Sequence, residues 1–357
     1  MQRRQLLSSL LGTGLGIGLP FSLPSMNHGP GNQLQAGENP LLQDPTAQKA
    51  VHKGIAWMLS TIQRDGTVGT DRLYGPDLSC SSLTGLMFLS QGSTPYAGEY
   101  SKYARRVLNG VLDQVERRPL TAKVTDRTLV QRKIGSNADI FLATLFLSEV
   151  YFEVAEEEKL IHNSLQKLVD HICRYQQKDG TWGTESWAPI LGTVLGWESL
   201  RSASSAGFEI HASADRVGEA LMRELRKRPK EEDGWMHSFY KEASCLRVLY
   251  SMGYRDDPLF LNASEKLLKL ITTDRRAFQY AGGEEYLAFY LVTQCMLSEL
   301  RPSWKQWAPT VRRELVRTQN ADGSWAGHHC ITDRTFCTAA ALLTLLCTNH
   351  QLSISDL

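Results

Sequence analysis

No two of the seven cysteines are spaced Cys-x-x-Cys, and an odd number cannot pair completely within one chain. Cys80, Cys173, Cys245, Cys295, Cys330, Cys337 and Cys347 fall mostly inside apolar runs, where a thiol behaves as a small buried hydrophobe, so no disulfide framework is expected. An excess of either charge is also lacking. With 39 basic and 38 acidic side chains, the net charge of +1 excludes any general attraction to nucleic acid or an anionic surface. There is no His-Glu-x-x-His, Gly-x-Ser-x-Gly or Gly-x-x-x-x-Gly-Lys-Ser/Thr segment, which removes the commonest metalloprotease, hydrolase and nucleotide-binding readings. Gly-Cys-Gly-Glu-Gln is missing too, which disfavours a thioester protein. Thirteen prolines and 28 glycines in 357 residues are too few to suggest disorder.

The first 28 residues differ from the rest. Arg3 and Arg4 precede an uncharged, apolar, glycine-containing stretch over 8–23, the layout of a basic region and hydrophobic core of an export signal. Paired arginines followed by Leu6-Leu7 point to a bacterial twin-arginine signal, with the mature protein periplasmic or secreted. A transmembrane anchor is the alternative, but Gly12, Gly14, Gly16, Gly18 and Pro20 weaken a run already short of the ~20 residues that a span needs. Residues 29–46 then read as a linker, 47–350 as the folded domain and 351–357 as a tail.

What is present is a repeat. Gln63-Arg-Asp-Gly-Thr-Val-Gly recurs as Gln177-Lys-Asp-Gly-Thr-Trp-Gly, and one residue longer as Gln319-Asn-Ala-Asp-Gly-Ser-Trp-Ala-Gly; Asp233-Gly-Trp235 is a shorter cousin. Each copy follows an amphipathic helix, such as the stripe Val51, Ile55, Met58, Leu59 and Ile62, and precedes one that is apolar nearly all round. Pairing them in chain order predicts six hairpins, with outer helices near 47–63, 98–116, 157–176, 214–227, 258–272 and 303–319. The inner helices are expected to begin near 78, 137, 187, 238, 285 and 334. Six apolar helices wrapped by six half-wetted ones are satisfied by two concentric layers, an all-α (α/α)6 toroid; an open solenoid would leave one inner face wet.

The segment from Lys53 through Trp57 and Gln63 to Gly66 and Val68, with Trp182 and Trp325 in the later copies, resembles the QW repeat of squalene and hopene cyclases. It is similar, more loosely, to the beta subunits of protein prenyltransferases. The resemblance implies the toroid and a polyisoprenoid or similarly apolar, lipid-like ligand in the ring. It also exposes two departures. The Asp-x-Asp-Asp acid of the cyclases is missing, Asp256-Asp257 being a helix cap. The Asp, Cys and His that hold zinc in prenyltransferases are not preserved either: Cys337 stands where the family has His, and Gly283-x-Glu285 replaces Asp-x-Cys. No cofactor is therefore expected, with Glu285, Cys337 and His328 or His329 as an alternative metal set.

Candidate site residues are polar side chains on apolar inner helices. Glu242 sits a turn inside the fourth, where a buried carboxylate must be paired, neutral or facing a wet cavity; with His237 and Asp139 it makes the candidate catalytic set. Tyr240, Trp187, Tyr286 and Arg334 are the candidate ligand-binding residues, and basic residues near the inner-helix starts, including Arg72, Lys133, Arg275 and Arg276, suggest an anion-friendly mouth. A carbohydrate-active toroid and a non-catalytic binding scaffold are the competing readings.

Overall fold

The structure is a computed structural model that describes residues 43–347 and Leu352, apart from 70–75, 118–119, 121–128, 152–157, 184, 211, 227–234 and 300–301. The proposed signal, most of the linker, nearly all of the tail, Arg72 and Asp233-Gly234 lie outside the described residues, as do the side chains of Trp235, His237 and Tyr240. The described residues are helical, with no strand beyond one isolated bridge between Ile62 and Val68. The helices are α1 (Pro45–Thr61), α2 (Leu78–Gln91), α3 (Ser101–Arg117), α4 (Leu129–Ile134), α5 (Ala138–Val150), α6 (Glu158–Tyr175) and α7 (Pro189–Ser205). They continue with α8 (Ser213–Arg226), α9 (Trp235–Ser251), α10 (Pro258–Thr273), α11 (Arg276–Gln279), α12 (Gly283–Glu299), α13 (Pro302–Thr318) and α14 (Arg334–Leu346). None of them is long and apolar enough to cross a membrane.

Two classes of helix follow from composition. Every residue from Leu78 to Ser90 in α2 and from Thr335 to Leu346 in α14 is buried, as is nearly all of α5. In α1 and α3 only one face is buried: Val51, Ile55 and Met58 in the first, Val107, Val111 and Val115 in the second. The buried helices contact one another in sequence: α2 with α5, α5 with α7, α7 with α9, α9 with α12, α12 with α14, and α14 again with α2. The amphipathic helices pack on the buried helix that precedes them, α3 on α2, α6 on α5, α8 on α7, α10 on α9 and α13 on α12. This differs from pairing in chain order, and it leaves α1 to pack on α14 and α13, joining the start of the described chain to its end.

The recurring segments make those junctions. In each, a backbone N–H bonds to the carbonyl four residues on: Gln63 to Thr67 (2.9 Å), Gln177 to Thr181 (2.8 Å) and Asn320 to Ser324 (2.8 Å). The third copy is therefore not a residue longer. Asn320, not Gln319, matches Gln63 and Gln177, while Gln319 matches Gln176. Those two side chains bond across the turn, Gln319 Nε2 to Gly323 O and to Ala50 O of α1 (both 2.8 Å), Gln176 Nε2 to Gly180 O and to Ser213 O of α8. An Asp accepts from the backbone N–H two residues on, closing the turn, and the glycine between has φ +87, +90 and +95 at Gly66, Gly180 and Gly323. Any Cβ there would run into a carbonyl of the next amphipathic helix, that of Arg106, Arg216 or Lys53. Trp182 and Trp325 are buried beneath, each Nε1 donating at 2.8 Å to a carbonyl ten residues back, Ile172 and Leu315.

A groove of about 500 Å³ runs beside α6, lined by Asn163, Lys167, His171, Arg174 and Tyr175. His171 is 6% exposed and its Nε2 bonds to Asn137 Oδ1 at 2.9 Å. Burial, with Arg174 nearby, pulls its pKa from 6.5 to about 4. Between those values the unfolded chain binds more protons than the folded one, so stability complete above about pH 6.5 drains as pH falls toward 4. Because the groove admits water, the loss is set at roughly 2 kcal/mol, below the full conversion of the shift. Urea unfolding across that pH range should show the slope in the native protein and a flatter curve in His171→Gln; parallel curves would contradict the assignment.

Candidate functional site

The polar groups brought together at the start of α12 differ in part from those expected. Residues 281–283 run beside 328–331, with Gly283 N–H bonded to Ile331 O and His328 N–H to Ala281 O (both 2.9 Å). A Cβ on Gly282 would lie 2.6 Å from His329 O and 2.7 Å from Glu284 Oε2, so this close approach requires glycine. The pairing brings His329 onto the first turn of α12. Its Nδ1 stands 3.5 Å from Glu284 Oε1 and its Nε2 3.4 Å from Glu285 Oε2. Cys330 follows in the left-handed region, φ +51, the one non-glycine residue there among those described.

Both carboxylates are nearly sealed, with side-chain exposures of 5% for Glu284 and 1% for Glu285, against 24% for His329. Burial, then the adjacent Glu284 charge, pushes the Glu285 pKa up to about 8. The Cys330 sulfur and the Glu284 carboxylate raise His329 to about 10. The two shifts share a cause: carboxylates beside the ring favour its charged form, while burial and a neighbouring carboxylate disfavour the charge on Glu285. A carboxyl of such raised pKa is a weak acid, which speaks against protonation of an unactivated alkene.

Glu284, His329 and Cys330 supply a carboxylate, an imidazole and a thiol whose ligating atoms all lie within 4.8 Å of one another. These donor types suit zinc, and three protein ligands leave a coordination position open. Glu284 Oε2 is buried without a hydrogen-bond partner, an expense that a cation would remove. The residues fit such an ion. This group shares His329 with the alternative set expected from the sequence, Glu285, Cys337 and His328 or His329, and differs from it in Glu284 and Cys330. The Cys337 thiol is fully buried and bonds to Ile331 O at 3.6 Å, and burial and Asp333 hold its pKa well above normal.

The other candidates have separate partners. Glu242 is not sealed in the core; its side chain is 20% exposed and forms a 3.0 Å ion pair with Lys266 of α10. Asp139 is buried in the first turn of α5, where its Oδ1 accepts from the Ile140 N–H at 3.0 Å. Trp187 is 62% exposed under the Lys133 ammonium, 3.5 Å above its ring. Arg334 binds Asp322 and Ser324 of the third recurring turn and lies over the Trp57 ring. Tyr286 is buried just beyond the acidic pair, its pKa raised by burial. The expected basic mouth is largely spent locally, Arg276 on Asp274 at 2.6 Å and Arg275 on Glu314 at 3.9 Å.

No family model matches the chain, and no curated protein matches it. Among solved structures it is similar to the type II terpene cyclase MstE from Scytonema. Against a variant of that enzyme in complex with its substrate, geranylgeranyl dihydroxybenzoate, the identity is 13% and the TM-score 0.49, covering 87% of this chain and 97% of that one. Against an apo variant the identity is again 13%, with a TM-score of 0.38 and coverage of 84% and 96%. At these values the likeness assigns neither a reaction nor a residue.

Proposed function

We propose that residues 47–350 form an exported (α/α)6 toroid of the terpenoid-cyclase and prenyltransferase kind. In this reading it binds or acts on a polyisoprenoid or similarly apolar ligand at the end of the ring where α12 and α14 begin. The observation that carries the reading is the convergence of Glu284, His329 and Cys330 at that end, in a geometry that fits a divalent metal. The cyclic contacts of the six buried helices support the toroid. A bound ion of the zinc class would supply Lewis acidity at its open position. The protein's own residues do the rest: Glu284, His329 and Cys330 would hold the ion, and the half-exposed Tyr280 ring, set edge-on to His328, offers apolar surface to a ligand. The paired arginines of the first residues support export.

The ligand is placed at the ring's end because the described side chains of α2, α5, α12 and α14 are buried along nearly their whole length. That same observation favours a second reading, a non-catalytic scaffold whose filled centre binds a partner on its outside. Thermal unfolding with a chain-length series of prenyl diphosphates, with and without added zinc, separates the two. Stabilisation that grows with chain length and with zinc, reaching about 2.7 kcal/mol at a hundredfold excess over Kd, is expected. No shift with any of them would remove the isoprenoid reading.

A further inference from the structure

We propose that Arg275, Arg313 and Arg317 form a binding site for a phosphate-class oxyanion on the exposed side of α13, where the residues before α11 meet its last turns. The site is separate from the metal reading and does not rest on it. Three guanidiniums surround one carboxylate. Glu314 Oε2 accepts from Arg317 Nε at 2.8 Å, Oε1 accepts from Arg313 Nε at 3.2 Å, and Arg275 Nε stands 3.9 Å from the same Oε1. The carboxylate is sealed, with a side-chain exposure of 1%, whereas Arg275, Arg313 and Arg317 are 65%, 55% and 42% exposed. The acid beside Arg275 in the chain, Asp274, is taken by Arg276, whose Nε and Nη2 both donate to it. Within this group four guanidiniums therefore share two carboxylates. Two positive charges are left over at one place on a chain whose net charge is only +1.

One arginine is enough to neutralise a buried carboxylate, and like charges gathered around it repel one another. A cluster with a structural role alone would carry two guanidiniums that oppose it. The arrangement suits an incoming anion instead. All three arginines turn Nε toward Glu314, and no described residue takes a hydrogen bond from their Nη groups, the donors that grip phosphate oxygens. The platform is held in place: Leu315 O, next to Glu314, accepts from the buried Trp325 Nε1 at 2.8 Å, and Thr318 Oγ1 donates to Glu314 O at 2.9 Å. Donors arriving from two separate segments of chain favour an anion with oxygens on several sides, a phosphate or phosphate ester, over a planar carboxylate.

The test is calorimetric titration of the full chain with inorganic phosphate at low ionic strength, beside co-sedimentation with vesicles of phosphatidylglycerol or of phosphatidylcholine. Phosphate binding without preference for the anionic vesicles identifies a free oxyanion as the ligand. Co-sedimentation with phosphatidylglycerol alone identifies a lipid headgroup, and both together a headgroup site that free phosphate also enters. In each case Arg275→Gln should weaken binding roughly tenfold, the effect of losing one charge-assisted contact. Its thermal midpoint without phosphate should stay at the native value, because Arg275 is the most exposed of the three and lies beyond hydrogen-bond reach of Glu314. Arg317→Gln should weaken binding too, and should also lower the midpoint, since it removes the shortest bond to Glu314. Should that variant fail to fold, Arg275→Gln alone decides. Binding of neither probe, or binding unchanged in Arg275→Gln, would overturn the site.

Discussion

Replacing Arg247 with Met should cost about 3–5 kcal/mol of stability, among the largest losses expected of any single change away from the candidate site. Arg247 on α9 and Glu198 on α7 both have fully buried side chains, joined by two hydrogen bonds of 3.0 and 2.9 Å. Ser251 Oγ donates to the same carboxylate at 2.8 Å. Burial works against the guanidinium charge, but the Glu198 carboxylate more than offsets it, and the Arg247 pKa is raised. With the arginine removed, Glu198 loses its bidentate partner in a sealed core and keeps only Ser251 Oγ and the field of Arg201. A pair of this sort is weak evidence of stability in itself, since apolar residues of similar volume can replace both partners at little cost. The double variant Glu198→Leu with Arg247→Met should therefore recover most of the loss. Urea midpoints decide the matter: a single variant no worse than the double would show that the ion pair does not join α7 to α9.

Trp325→Ala should cost a comparable 3–5 kcal/mol or so, and it should loosen α1 selectively. The indole is fully buried, bonded through Nε1 to Leu315 O, and its backbone N–H is held by Thr338 Oγ1 at 2.9 Å. It packs so closely on Gly54 that a Cβ there would lie 2.8 Å from the ring and 2.9 Å from Leu342. One side chain thus ties α1 to α14, the contact that returns the chain's end to its beginning. Val68 occupies the matching place in the first copy and is smaller, so Val68→Ala should cost only a fraction as much. Limited proteolysis should release α1 early from Trp325→Ala and not from Val68→Ala. Equal midpoints and equal digestion patterns would contradict this.

Much of the helical layout was legible because a side chain's burial and its chemistry usually agree. The stripe Val51, Ile55 and Met58 is buried, and the start near 334 falls at Arg334. The short helices α4 and α11 were not foreseen, since neither is long enough to show a period. Identity alone aligns Gln63, Gln177 and Gln319 in the third recurring segment, whereas the hydrogen bonds align Gln63, Gln177 and Asn320. The inner place of its helix implies burial for Glu242, yet its carboxylate pairs with Lys266. In the candidate site, Glu285 and His329 were legible as polar residues at two helix starts. Cys330 carries no local signal because it lies in a loop, while Cys337 sits in an apolar run. The pairing of 281–283 with 328–331 is a contact between distant segments that no local pattern reveals. The signal that was available was Gly282-Gly283 beside two acids, and two histidines beside a cysteine.

The most direct measurement is the metal content of the purified full chain after exhaustive dialysis, taken alongside His329→Ala. A centre built by Glu284, His329 and Cys330 predicts about one zinc ion per chain in the native protein and almost none in the variant. A native protein that retains no metal, or a variant that retains as much, would contradict it.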